Sequence, residues 1–383
     1  MSLAWPESSL LTPDHETGSR SWSWAYLGLL VGAFVAYLAG LFFLNRGVAA
    51  RVGTVVAVAT AIQLAPLAAP VLLSTDAYSY WDYGRLAAVH DANPYEVRPI
   101  GFADDPAFKR MGAQWRNTTT VYGPAFTLAS EVHAKAVGES AAAAAWAYKA
   151  LAALAMVAMV FLAARIALRP AFGAAFVGWN PLLAVHFAGG GHNDAWMMAF
   201  VLGALALAAA GRRQLAGAAW ATSLAVKWVA IIFLPLRALE ARHDGRRVGH
   251  LGFAAAAGVL VLLATWRYGT AWLDAFGPVG RNLREGSRYS IPSRLESLGL
   301  PHGLAVGLLA GLFGLAYLWL LREAWRGRAR LGLAGGLLVV AAPWLLPWYL
   351  VWTVPLAAVE EDRAAHALAL ALTAYLLRDA VPL

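Results

Sequence analysis

One pattern repeats from Trp24 to Leu377: an apolar run long enough to cross a bilayer, a short connector carrying arginine, then another apolar run. About 20 residues at 1.5 Å each span the ~30 Å of bilayer hydrocarbon. On that basis residues 24–44, 52–73, 142–168, 171–188, 194–210, 215–236, 249–266 and 303–321 predict membrane helices. Of 383 residues, 60% are hydrophobic and 14% charged, against about 25% charged in an ordinary globular domain. That excludes disorder and argues against a soluble fold. The expected class is all-α: a polytopic membrane bundle of about ten to twelve transmembrane helices, since helices satisfy their own backbone in lipid.

The net charge is +8, from 30 Lys and Arg against 22 Asp and Glu. These bases fall mostly in connectors (Arg46 and Arg51, Arg165 and Arg169, Arg212 and Arg213, Arg322 to Arg330), where they read as cytoplasmic topology signals. They do not form a phosphate-tracking stripe, so nucleic acid is not an expected partner. With no cysteine there is no disulfide, thiolate metal site or cysteine nucleophile. Residues 1–23 hold Glu7, Asp14 and Glu16 but only Arg20 as a base, unlike a signal peptide, and are expected to remain as an N-terminal tail before a single transmembrane domain at 24–383. A simple crossing by 215–236 would export the basic stretch 237–247. A hairpin of two short helices meeting near Lys227 is the better expectation. Residues 331–359 are broken by Pro343, Pro347 and Pro355, and 364–377 form a last short run.

The positive-inside assignment puts two long loops, 74–140 and 267–302, outside. The first opens Ser74-Thr75-Asp76-Ala77-Tyr78-Ser79-Tyr80 and continues through Arg85 to Asn93-Pro94-Tyr95. Aromatic faces stack on sugars and a carboxylate can take a proton from an acceptor hydroxyl; the plainer alternative is an interfacial helix capped by Ser74, Thr75 or Asp76. A second cluster, Gly189-Gly190-Gly191-His192-Asn193-Asp194, lies between two spans on the same side, where glycines let backbone approach a ligand. Asp194 there reads first as a helix N-cap, and His192 lacks a nearby partner for metal binding, so no metal is expected. Lys227 is an intramembrane cation, by default a site residue, and lies too far from the basic end of its run to snorkel. Arg281, Arg284, Arg288 and Arg294 stand in the second outer loop, where topology does not require them and where Arg suits phosphate. Trp344 to Trp352, with Pro347-Trp348-Tyr349, could line a sugar or lipid groove, or simply pack.

The ordered set Ser74 to Tyr80 with Gly84-Arg85, Asn93-Pro94-Tyr95, Val121-Tyr122-Gly123-Pro124, Asn180-Pro181, Gly189 to Asp194, Lys227 with Pro235, and Leu346-Pro347-Trp348-Tyr349 resembles the bacterial polyprenol-phosphate-mannose-dependent mannosyltransferases of the GT-C superfamily. The resemblance runs from about residue 70 to 360, almost the whole membrane portion. It implies a GT-C-type bundle with interfacial helices in its outer loops. It also implies a polyprenyl-phosphate sugar as donor, a glycolipid or glycan as acceptor, no cofactor, and an acid in the first outer loop as base. The matching acid is Asp76. Tyr78, Tyr80, Arg85, Asn93, Tyr95, Tyr122, His192, Asn193, Asp194, Lys227, Arg284, Arg288, Arg294, Trp348 and Tyr349 are the expected substrate contacts, with membrane lipids around them. No C-terminal soluble domain is expected.

Direct displacement at the anomeric carbon needs one base and charge stabilisation for a departing phosphate, not the paired carboxylates of a hydrolase. A hexose, most simply mannose, would pass with inversion. The alternatives are a transporter or lipid-linked sugar flippase, which would favour midplane charges and paired repeats, and a non-catalytic assembly subunit.

Overall fold

The computed structural model describes residues 20–246, 248–378 and 381, and among them every regular element is helical. The chain is an all-α, polytopic membrane protein. The expected tail lies outside the described residues up to residue 19. Helix α1 (Arg20–Asn45) is followed by α2 (Val52–Leu64), α3 (Asp76–Ala88), α4 (Pro124–Val137) and α5 (Ala141–Ile166). Next come α6 (Pro170–Gly178), α7 (Pro181–Gly190), α8 (Asp194–Ala209), α9 (Arg213–Val226), α10 (Phe233–His243) and α11 (His250–Tyr268). The last part holds α12 (Phe276–Glu285), α13 (Ile291–Ser297), α14 (His302–Trp325), α15 (Leu331–Ala341), α16 (Val354–Glu360) and α17 (Arg363–Leu377).

Among the described residues α1, α5, α11 and α14 are long and apolar enough to cross a membrane alone, and the α6–α7 pair makes a fifth such span. The remaining expected crossings fall on shorter helices, and each shortening has a local cause. Residues 171–188 were expected as one helix. They form two, bent by 55°, because Asn180 caps α7 by accepting from the Leu182 and Leu183 N–H groups and Pro181 takes its first position. α2 stops where Pro66 and Pro70 intervene, giving a 3-10 turn at Ala65–Ala68 instead of helix to residue 73. α9 ends at Val226, Lys227 is extended (φ −154°, ψ 128°), and a 3-10 turn at Trp228–Ile232 leads into α10. That is the break expected at Lys227. Residues 331–359 divide into α15, a 3-10 turn at Pro347–Trp352 and α16.

α5 lies at the centre, with Ala144, Ala152, Met156 and Ala163 fully buried, and packs on α6, α7 and α8. α9 is held between α8 and α11. α11 and α14 leave Leu251, Leu262, Leu304 and Leu315 exposed, as lipid-facing helices do. The large expected outer loop is itself folded: α3 packs on α4, locked by Arg85, whose guanidinium grips the Asp105 carboxylate at 2.8 and 3.0 Å and donates to the Gly138 carbonyl. This arrangement brings the start of α3, the start of α8, Lys227 and the 347–352 turn to one place.

Candidate active site

A cavity of 450 Å³ opens where these four segments meet. Asp76, Lys227, Trp115 and Tyr122 line its polar side; Ala310 and Phe313 of α14 and Leu338 of α15 line an apolar side. Trp348 and Tyr349 join the two.

Asp76 begins α3, but capping falls to Ser74, whose Oγ accepts from the Asp76 N–H at 3.1 Å. The carboxylate is therefore left for the cavity. Its Oδ2 lies 3.2 Å from Nδ1 of His192 and accepts from the Tyr80 hydroxyl at 3.4 Å. His192 reaches this position because Gly191 ends α7 in the left-handed region (φ 76°), which turns the chain toward α3. The imidazole is fully buried and stacks on the Trp348 indole, with ring centres 3.6 Å apart and planes within 14°. Burial works to raise the Asp76 carboxyl, but contact with His192, the charges of His192 and Lys227, and the Trp115 side chain outweigh it and hold it below the usual carboxylate range. A first-turn position at a helix N-terminus favours the anion in the same sense.

Beside this pair is a second. Lys227 Nζ donates to Asp194 Oδ2 at 2.7 Å and approaches Asn193 Oδ1 at 3.5 Å, while Trp352 Nε1 donates to Asp194 Oδ1 at 2.8 Å. The expectation that Asp194 acts as an N-cap is corrected here: Asn193 holds the cap position and both Asp194 oxygens go to Lys227 and Trp352. Lys227 also stands 5.3 Å above the Tyr349 ring, which stacks on Trp352.

Of the residues expected at a site, the cavity wall thus holds Asp76, Tyr122, Lys227, Trp348 and Tyr349, with Tyr80, His192, Asn193 and Asp194 directly behind them. Others are placed elsewhere. Tyr78 is half-buried and does not line the cavity. Arg85 is spent on Asp105. Asn93 donates to the Tyr268 carbonyl, and the Tyr95 hydroxyl bonds Thr127 Oγ1 and the Tyr122 carbonyl, tying the loop to the end of α11 and to α4. Arg284 and Arg288 are exposed, Arg288 donating to the Tyr289 hydroxyl, and Arg294 donates to the Tyr375 hydroxyl. The cation at the cavity is Lys227, and the loop meets the rim through Ser287 instead, which bonds Pro343 and Leu345 backbone. Trp344, from the stretch expected to line a groove or to pack, lines the cavity as well, and Trp115 and Trp228 line it without having been expected there.

The profile of a family described as alpha-(1->6)-mannopyranosyltransferase, N-terminal domain, matches residues 6–242. The chain belongs to this family. The matched stretch contains Asp76, His192 to Asp194 and Lys227, and ends before the turn that supplies Trp348 and Trp352. Among curated proteins, it is 30% identical over 349 residues to alpha-(1->6)-mannopyranosyltransferase A of Mycobacterium tuberculosis, covering 81% of this chain and 66% of that one. It is 27% identical over 297 residues to the protein of the same name in Corynebacterium glutamicum (69% and 60%), and 27% over 356 residues to a probable family member of Mycolicibacterium smegmatis (76% and 62%). The chain therefore spans somewhat less than two thirds of the length of these relatives. No solved structure matches it. Membership makes this membrane protein a member of a glycosyltransferase family.

Proposed function

We propose that the protein transfers mannose from a polyprenyl-phosphate donor to a hydroxyl of a glycolipid or glycan on the extracytoplasmic side of the cell membrane, with Asp76 as general base. The observation that carries this reading is one cavity with a His192-backed carboxylate and a lysine on its polar side and an apolar wall opposite. The Asp76 carboxylate takes the acceptor's hydroxyl proton as that oxygen bonds to the anomeric carbon. The bond from that carbon to the phosphate oxygen breaks, and the polyprenyl phosphate leaves with the electron pair. Lys227 is placed to meet the growing phosphate charge. His192, sandwiched between Trp348 and Asp76, orients the carboxylate. One displacement inverts the centre, so a β-linked donor yields an α-mannoside, in keeping with the linkage named for the relatives. The apolar wall formed by α14 and α15 suits a polyprenyl chain, and Trp115 and Tyr349 suit the sugar face. The side is supported by the positive-inside rule: Arg46 and Arg51 precede α2 and Arg212 and Arg213 follow α8, whereas Asp76 comes after α2 and Asp194 begins α8.

Membranes carrying the protein, supplied with labelled polyprenyl-phosphate mannose and glycolipid acceptors, test this directly. Asp76→Asn should lower transfer by about 10²–10⁴-fold while the purified protein keeps its melting temperature. Because the Asp76 carboxyl is held low, the acid limb of the rate profile should fall below the usual carboxylate range, with full activity retained from there to neutral pH. Undiminished transfer by Asp76→Asn removes Asp76 as the base. Donor movement across the bilayer without transfer would favour a flippase.

A further inference from the structure

A second cavity, of 280 Å³, lies at the opposite end of α9, about 20 Å from Lys227 along its 14 residues. Both arms of the broken α9–α10 segment and the start of α11 contribute to it. Trp220, Leu234 and Phe253 supply apolar wall, and Arg213, Arg237 and Arg246 supply charge. α9 begins here at Arg213 and α11 at His250; neither cap residue, Arg212 or Gly249, caps with its own side chain, while Gln214 Oε1 accepts from the Gly252 N–H in the first turn of α11 at 2.8 Å. Glycine allows the two starts to touch: a Cβ on Gly217 would fall 2.0 Å from the Gly249 carbonyl oxygen, and one on Gly249 would fall 1.8 Å from that of Arg213. Two positive helix ends therefore share one cavity mouth.

The charges decide what fits. Arg237 is paired with Glu240, whose other oxygen accepts from the Ala329 N–H, and Arg246 stands 3.5 Å from Asp244. Arg213 makes no ion pair among the described residues. The surplus is one side-chain charge plus the N–H groups that the start of α9 and, beside Gln214, the start of α11 leave over, enough for a singly charged anion and too little for a polyphosphate. The apolar wall calls for a hydrocarbon attached to that anion, and the cavity sits at an end of the bundle, where headgroups lie.

We propose that this cavity binds the phosphodiester headgroup of an anionic phospholipid, with Arg213 as its main cation and an acyl chain against Trp220, Leu234 and Phe253. The site is separate from the Asp76 cavity and does not depend on what that cavity does. A bound lipid would bridge the two arms of the hairpin that places Lys227.

Native mass spectrometry of the full chain in neutral detergent, titrated with phosphatidylglycerol or with phosphatidylcholine of the same acyl chains, tests it. Phosphatidylglycerol should bind several-fold more tightly, and Arg213→Gln should weaken it about fivefold while leaving phosphatidylcholine unchanged. Ala238→Leu, which narrows the cavity without touching a charge, should also weaken it and serves if Arg213→Gln does not fold. Millimolar inorganic phosphate should not displace the lipid. Equal binding of the two lipids, indifference to both substitutions, or displacement by free phosphate, which would make phosphate itself the ligand, each overturns the proposal.

Discussion

Two lysines, Lys149 and Lys227, serve two breaks in the apolar bundle, and their partners differ. Lys149 projects from the first half of α5, is 2% exposed, and donates to the carbonyls of Leu67, Ala69 and Pro70, where α2 has given way to a 3-10 turn and extended chain. Lys227 stands in its own break and pairs with the Asp194 carboxylate at the edge of the 450 Å³ cavity. A cation whose donors are all taken by backbone carbonyls at a helix C-terminal end is committed to the fold: it repairs orphaned acceptors and offsets the negative end of the helix. A cation paired with one carboxylate and open to a cavity retains donors for an incoming anion. An intramembrane lysine is thus a site residue only when its partners leave it something to give.

Substitution at the second break should have the largest effect. Lys227→Met should reduce mannosyl transfer by about 10²–10³-fold and also destabilise the protein by roughly 3 kcal/mol, because it leaves the fully buried Asp194 unpaired. Adding Asp194→Asn removes that stranded charge while keeping an acceptor for the Trp352 N–H. The double variant should regain most of the melting temperature and none of the transfer. Recovery of transfer along with stability would mean Lys227 only supports the fold, and the contrast with Lys149 would collapse. Lys149→Met comes next. It should lower stability by about 2–3 kcal/mol, the cost of leaving buried acceptors unmet, seen as a lower melting temperature in detergent with transfer per folded molecule unchanged. Loss of transfer at full stability would break the comparison from the other side.

What could be read from the chain before its structure follows the same division. Helix positions were legible because run length against bilayer thickness is a one-dimensional property: α1, α5, α8, α11, α14 and α17 lie within a few residues of the apolar runs. The break at Lys227 was legible from charge sidedness, and the Asp76 and His192 clusters from their chemistry. Lys149 was not, since a single cation inside an apolar run says nothing of carbonyls 80 residues away. Arg85 looked like a ligand contact because its partner, Asp105, is 20 residues distant through an irregular loop. Trp115 and Trp228 carried no signal separating a cavity wall from an interfacial anchor. In each case the missing information was which buried group meets which, and that is set by long-range packing rather than by pattern.

A third buried charge extends the comparison. Asp82 lies on α3 six residues after Asp76, is 2% exposed, and its Oδ2 has no hydrogen-bond partner among the described residues. Neither backbone dipoles nor a close opposite charge answer it, since Arg85 is engaged by Asp105. Burial first, and then the Asp105 charge, push the Asp82 carboxyl up to about 7, with Arg85 only partly offsetting them. The folded chain therefore holds a proton that the unfolded chain releases near pH 4. Between about pH 4 and pH 7 the unfolded state binds fewer protons, so this group's contribution to stability declines as pH rises and levels off above its folded value. Asp82→Asn removes the titration. Its melting temperature should match wild type near pH 4 and exceed it at pH 8 by an amount equivalent to about 1–3 kcal/mol, with transfer unaffected because Asp76 is unchanged. A variant less stable than wild type at pH 8 would mean that ionised Asp82 has a stabilising partner. It would then belong with Lys149 and Lys227 among the charges the fold has satisfied.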